Sequence, residues 1–153
     1  MRERISVLAL DVGDRRIGVA GCDGTGSFAT GLTTIHRQNV QADIATLQQW
    51  VERRQAQRFV VGLPFNMNGS VGFQARKVKR FMKSVTAQIP LPVEYVDERL
   101  SSVQARWNLQ AAGISVKGKR ELVDRAAATV ILQQWIERRR FELEREQRQG
   151  KGD

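Results

Sequence analysis

The run Arg58-Phe59-Val60-Val61-Gly62-Leu63 constrains this chain most. After Arg58 it is apolar, with β-branched Val60 and Val61 at its centre, and unbroken until Pro64. A strand with one wet face alternates polar and apolar side chains; this one does not, so both its faces must be buried, as in a parallel sheet covered by helices. The flanking sequence supplies those helices. Val40, Ile44, Leu47 and Val51 recur at helical spacing before the run, and Val78, Phe81, Val85 and Ile89 after it. Pro90 and Pro92 end the second helix, and Val93 to Val96 reads as another short strand. Before residue 39 the pattern is different. Ile5 to Asp11 reads as a strand, Gly13-Asp14 as a turn, Arg16 to Gly21 as its hairpin partner, and Phe28 to Thr34 as a third strand. Beyond residue 99 a helix is expected over Leu100–Ala112 and a Gly-containing basic loop over 113–120. A last helix carries Leu122, Ala126, Val130, Ile131 and Trp135. The order β-β-β-α-β-α-β-α-α predicts an α/β fold: a mixed five-stranded sheet, three antiparallel strands followed by parallel ones, flanked by helices. Sites in such sheets form outside the carboxyl ends of the strands. One domain is expected over 1–138, with a polar tail at 139–153, frayed or disordered.

Charge narrows the partner. The chain has 153 residues and a formal net charge of +9. The surplus lies in two blocks without any Asp or Glu. Residues 53–83 hold Arg53, Arg54, Arg58, Arg76, Lys77, Lys79, Arg80 and Lys83; residues 104–120 hold Arg106, Lys117, Lys119 and Arg120. Such blocks are ordinarily solvated helix faces, but two of them flanking an acidic segment at 94–98 point to a polyanion, with nucleic acid first. Cys22 has no partner for a disulfide, and Cys22 with His36 cannot make a four-ligand zinc site. No apolar run is long enough to span a bilayer and no export leader is recognisable, so a cytoplasmic protein without membrane contact is expected. Trp50, Trp107 and Trp135 fall on predicted helices and are expected to pack in a core or interface.

Three acidic positions stand apart. Asp11 ends the first strand, Asp97 and Glu98 end the last, and Asp124 lies in the first turns of the last helix among apolar or small residues. If that helix crosses the strand ends, the three positions converge into a cluster of hard oxygen donors suited to Mg²⁺ or Mn²⁺. Two such ions can activate water and stabilise a leaving oxygen in phosphodiester cleavage. Simpler roles stand beside this one. Asp11 can cap the turn before Gly13, Glu98 can pair with Arg99, and Asp124 with Glu121 can complement a helix N-terminus. Strand alternation turns Asp97 away from Glu98.

The segment Asp11-Val-Gly-Asp-Arg-Arg-Ile-Gly-Val-Ala20 resembles the opening motif of the YqgF family, also called RuvX-like Holliday junction resolvases. Val61-Gly-Leu-Pro-Phe-Asn-Met-Asn-Gly-Ser70, Val96-Asp-Glu-Arg-Leu-Ser-Ser102 and Lys119-Arg-Glu-Leu-Val-Asp-Arg-Ala-Ala-Ala128 match further motifs in order. The resemblance spans about residues 5 to 137. It implies a ribonuclease-H-like fold and a divalent-metal-dependent nuclease (a hydrolase of phosphodiester bonds). Asp11, Glu98 and Asp124 would be its catalytic and metal-holding residues, with Mg²⁺ or Mn²⁺ as cofactor. It further implies a role in 5′-end maturation of pre-16S ribosomal RNA, and so structured RNA and ribosomal precursor particles as partners. Resolution of four-way DNA junctions is the alternative, and a non-catalytic nucleic-acid-binding factor in ribosome assembly is another. Nucleic acid is expected to meet Arg15, Arg16, Asn66, Asn68, Arg76, Lys77, Arg80, Arg99, Lys117, Lys119 and Arg120. The chain would act as a monomer or homodimer. Asn68 stands where the family commonly has Asp, and Arg15 where it often has Lys.

Overall fold

A computed structural model describes residues 5–64, 68, 72–98 and 101–150. Five strands and four helices follow in the order β1 (Val7–Val12), β2 (Arg16–Cys22), β3 (Ala29–His36), α1 (Val40–Arg54), β4 (Arg58–Leu63), α2 (Phe73–Gln88), β5 (Val93–Asp97), α3 (Ser101–Ala111) and α4 (Arg120–Gly150). The sheet order is β3-β2-β1-β4-β5. β1–β2 and β2–β3 pair antiparallel; β1–β4 and β4–β5 pair parallel. This is the expected mixed sheet. β4, the unbroken apolar run, is its buried interior strand.

Strand alternation sorts the core into two layers. Leu8, Leu10, Phe59, Val61 and Leu63 face α1 and α2, joining Ile44, Leu47, Val78, Phe81 and Val85. Val7, Ala9, Ala20, Val60 and Val96 face α4, joining Ala128, Ile131, Leu132, Trp135 and Ile136. Each fully buried Leu or Ile contributes roughly 1.5–3 kcal/mol to holding these layers on the sheet. Asn39 caps α1, its side chain accepting from the Ala42 amide at 2.9 Å, and Gln55 closes the helix at φ 50°. Buried Asp43 fixes the β3–α1 connection by accepting from Gln38 N at 3.0 Å and Arg37 Nε at 3.2 Å.

Two expectations change. α4 stays helical to Gly150, through the polar segment where a frayed or disordered tail was expected after 138, and residues 140–150 are all exposed. Trp107 is 63% exposed on α3 and packs in no core, whereas Trp135 is buried with its indole N–H donating to Glu94, and Trp50 is partly buried beneath Arg53. No helix among the described residues is long and apolar enough to cross a membrane.

Candidate active site

Asp11 is on β1 with its side chain toward α4, the direction set by Val7 and Ala9 four and two residues earlier. Its neighbours across the sheet are both glycines. Gly18 of β2 is its register partner. Gly62 of β4 follows Val61, which pairs with Leu10. A Cβ on Gly18 would lie 2.0 Å from the backbone oxygen of Asp124. A Cβ on Gly62 would lie 2.7 Å from Cγ of Glu98 and 2.5 Å from Cδ1 of Ile131. The missing side chains therefore make the room in which α4 brings Asp124 down on one side of Asp11 and Glu98 reaches in on the other. β5 is not adjacent to β1, since β4 lies between them. Glu98 crosses that gap over Gly62, anchored by its amide donating to Leu63 O at 3.2 Å.

Electrostatics follow from this placement. Burial pushes the Asp11 carboxyl up to about 7, and the charges of Glu98 and Asp124 push it the same way. Asp97 falls on the other face of β5, in step with Tyr95, whose ring lies under Lys79. Arg16 Nε donates to Asp124 Oδ2 and neutralises that carboxylate. A cavity of about 320 Å³ opens here, lined by Asp11, Asp14, Arg15, Arg16, Arg120 and Asp124. The donor set fits a hard divalent cation. The side chains are not drawn together at coordination distance: among the described residues no three such groups are gathered tightly enough to hold an ion.

The basic residues fall in three places. Arg15 and Arg16 are at the β1–β2 turn beside Asp11; Arg15 is exposed. Arg76, Lys77 and Arg80 lie on α2, where Lys77 pairs with Asp14 at 3.3 Å. Lys117 and Lys119, in the connection before α4, and Arg120, its first residue, are exposed. Asn68 is exposed in a turn, while Asn66 and Arg99 lie outside the described residues. Sequence reasoning missed Gly18 and Gly62. Both are inside the quoted motifs, but their purpose is visible only once the strand register is known.

The family model described as "RuvX: Holliday junction resolvase" matches residues 5–138. The chain belongs to the RuvX family. Curated RuvX relatives include a protein of Rippkaea orientalis, 55% identical over 90% of this chain and 99% of its own length. A second, from Crocosphaera subtropica, is 53% identical over 92% and 99%. Both carry the name "Putative pre-16S rRNA nuclease". Among solved structures, Thermus thermophilus RuvC in complex with a Holliday junction substrate aligns at TM-score 0.52 and 15% identity, covering 83% of this chain and 91% of that one. The Fowlpox virus resolvase in complex with Holliday junction DNA aligns at TM-score 0.54 and 12% identity, covering 87% and 97%. At such identities these likenesses establish the ribonuclease-H-like fold of resolvases that the sequence motifs implied.

Proposed function

We propose that this RuvX chain is a divalent-metal-dependent nuclease that hydrolyses phosphodiester bonds during 5′-end maturation of pre-16S ribosomal RNA in the cytoplasm, acting as a monomer or homodimer. The observation that carries the chemistry is Asp11 half-buried between two glycines, with Glu98 and Asp124 brought over it. The substrate rests on the name shared by relatives more than half identical over nearly the whole chain.

In this reading Asp11, Glu98 and Asp124 hold Mg²⁺ or Mn²⁺, which when bound polarises water and stabilises the departing oxygen. The protein's own groups do the rest. Arg16 keeps Asp124 neutralised until a cation competes for it. Asp11, its carboxyl pushed up to about 7, would hold a cation only when deprotonated, because the proton and the cation offset the same charge. Arg15, Arg76, Arg80, Lys117 and Lys119 hold the polyanion by its phosphates, which fix its position without reading its sequence. No covalent intermediate on the protein is required.

The test is a side-by-side digestion of a pre-16S RNA fragment and a four-way DNA junction by wild type and Asp11→Asn, with Mg²⁺ and with Mn²⁺. Wild type should cut the RNA. Asp11→Asn should not, while binding it as well or better, since one negative charge is gone. Cleavage at the wild-type rate by Asp11→Asn would mean the site is wrongly assigned. Paired cuts in the junction with the RNA left whole would favour the second reading, a junction resolvase, which the family description supports. Binding without cleavage of either would favour a non-catalytic assembly factor.

A further inference from the structure

A second cavity adjoins the first, and where the first balances three carboxylates against three arginines, the second is predominantly basic. It is about 490 Å³ and lies between the start of β2, the end of β3 and the first turns of α4. Arg16, His36, Lys119, Arg120, Glu121 and Arg125 line it. Arg16 and His36 are register partners on β2 and β3, so they flank its floor. Its one carboxylate, Glu121, is taken by His36 Nε2 at 2.8 Å, and Arg16 is taken by Asp124. Lys119, Arg120 and Arg125 have no carboxylate partner among the described residues. Arg125 is the most telling. Its stem lies along β3, within 2.9 Å of where a Cβ on Gly31 would be. Its Nε is shut off from solvent and has no hydrogen-bond partner among the described residues. A buried cationic N–H without an acceptor is costly, and a ligand oxygen in the cavity would remove that cost once the Arg125 side chain turns its Nε toward it.

We propose that this cavity is a phosphate subsite. It receives the phosphate of the nucleic-acid chain next to the one presented to Asp11 and Asp124. The proposal rests on the nuclease reading for which phosphate is meant, and on the cavity itself for the ligand class. Arg16 and Arg120 line both cavities, so they form the wall between the carboxylates and the cations. A chain of phosphates crossing that wall puts one group among acids, where a metal is needed, and its neighbour among guanidinium and ammonium donors. Guanidinium groups suit phosphate because their planar forks give two parallel charge-assisted hydrogen bonds. With no acid free to compete, the cavity favours an anion of high charge density over chloride.

The Nε–H of Arg125 provides a direct readout. Uniformly ¹⁵N-labelled wild-type protein at pH 6, without metal, is titrated with inorganic phosphate, with a mixed-sequence RNA decamer, and with KCl matched in ionic strength. The expected result is a saturable shift of the Arg125 Nε–H signal and of the Lys119 and Arg120 amides with phosphate and RNA, and none with KCl. The double variant Lys119→Gln and Arg120→Gln changes two exposed side chains and should keep the fold. It should weaken phosphate binding by about tenfold, because two of the charges that attract the anion are removed. RNA that shifts only α2 resonances around Arg76 and Arg80, leaving Arg125 Nε–H unmoved, would overturn the subsite. Cleavage assays on the same preparations separate the two readings. Cleavage with a silent cavity removes the subsite and keeps the nuclease; a responsive cavity without cleavage keeps the subsite and removes the nuclease.

Discussion

Gly18→Ala adds one methyl group where the sheet and α4 touch. Its Cβ would lie 2.0 Å from the Asp124 backbone oxygen and 2.5 Å from the carbonyl carbon, whereas ordinary van der Waals contact begins at 3.4 Å. Both atoms are helix backbone, so no rotamer change relieves the clash. α4 must back off by about 1.4 Å near Asp124, and overpacking of this kind costs roughly 1–3 kcal/mol. Intrinsic preference works the other way, since Ala in a strand is favoured over Gly by roughly 0.5–1 kcal/mol. A net loss of about 1 kcal/mol lowers the Tm by roughly 2–4 °C in a chain of this size. The functional loss is larger: a displacement of about 1 Å in a reacting constellation costs on the order of 100-fold in rate. Thermal melts followed by circular dichroism and cleavage of the pre-16S fragment measure the two effects. Gly62→Ala is the control, because the atoms it meets belong to the Ile131 and Glu98 side chains, which can rotate. It should melt closer to wild type yet still cleave poorly, with Glu98 pushed aside. A Gly18→Ala protein with wild-type Tm and rate would refute the idea that this contact sets the position of Asp124.

The raised Asp11 pKa gives metal-free stability a definite slope with pH. The unfolded carboxyl loses its proton near pH 4 while the folded one keeps it to about 7, so the stabilisation present below pH 4 is lost as pH rises through 7. Urea midpoints in EDTA should therefore fall from pH 5 to pH 8, Asp11→Asn should flatten the trend, and Mg²⁺ affinity should rise over the same window. Asp43→Ala removes the acceptor for Gln38 N and Arg37 Nε inside a buried connection and should cost about 2 kcal/mol in urea unfolding. Truncation after Arg139 removes a segment whose described residues, 140–150, are all exposed, so the Tm should change by less than about 2 °C, and hydrogen exchange over the described residues should be fastest at 140–150.

What the sequence disclosed follows from which interactions are periodic. β4 was legible because burial on both faces leaves an unbroken apolar run, and α1 and α2 because their apolar positions repeat over four turns. The C-terminal half of α4 was not. Residues 139–150 carry too few apolar positions to show a stripe, yet Glu, Arg, Leu and Gln are good helix formers and extend a helix whose first half is already nucleated on the sheet. Trp107 misled for the opposite reason. Helical spacing identifies a helix but does not say which face is covered, and among the described side chains of α3 the buried one is Ala105.

The three acids were legible as positions, and the two glycines explain why those positions can become a site. On a five-stranded sheet a residue on β1 cannot touch one beyond β5 through an intervening side chain. β4 would normally fill the gap with a Val or Ile, as it does at Val60 on the same face. Gly62 leaves it open, and Gly18 does the same beneath α4. The cluster thus depends on side chains that are absent, which no count of charges can reveal. The same logic accounts for acids in a chain of net charge +9. Asp11 and Glu98 repel one another at close range, Arg16 offsets Asp124, and Lys119, Arg120 and Arg125 remain available to an incoming anion. Like charges packed this closely are a poor way to stabilise a fold, so the arrangement makes physical sense when a cation joins the carboxylates and a phosphate joins the cations. Neutralising the acids should therefore stabilise the metal-free protein while removing its activity, and that opposition distinguishes a functional cluster from a structural one.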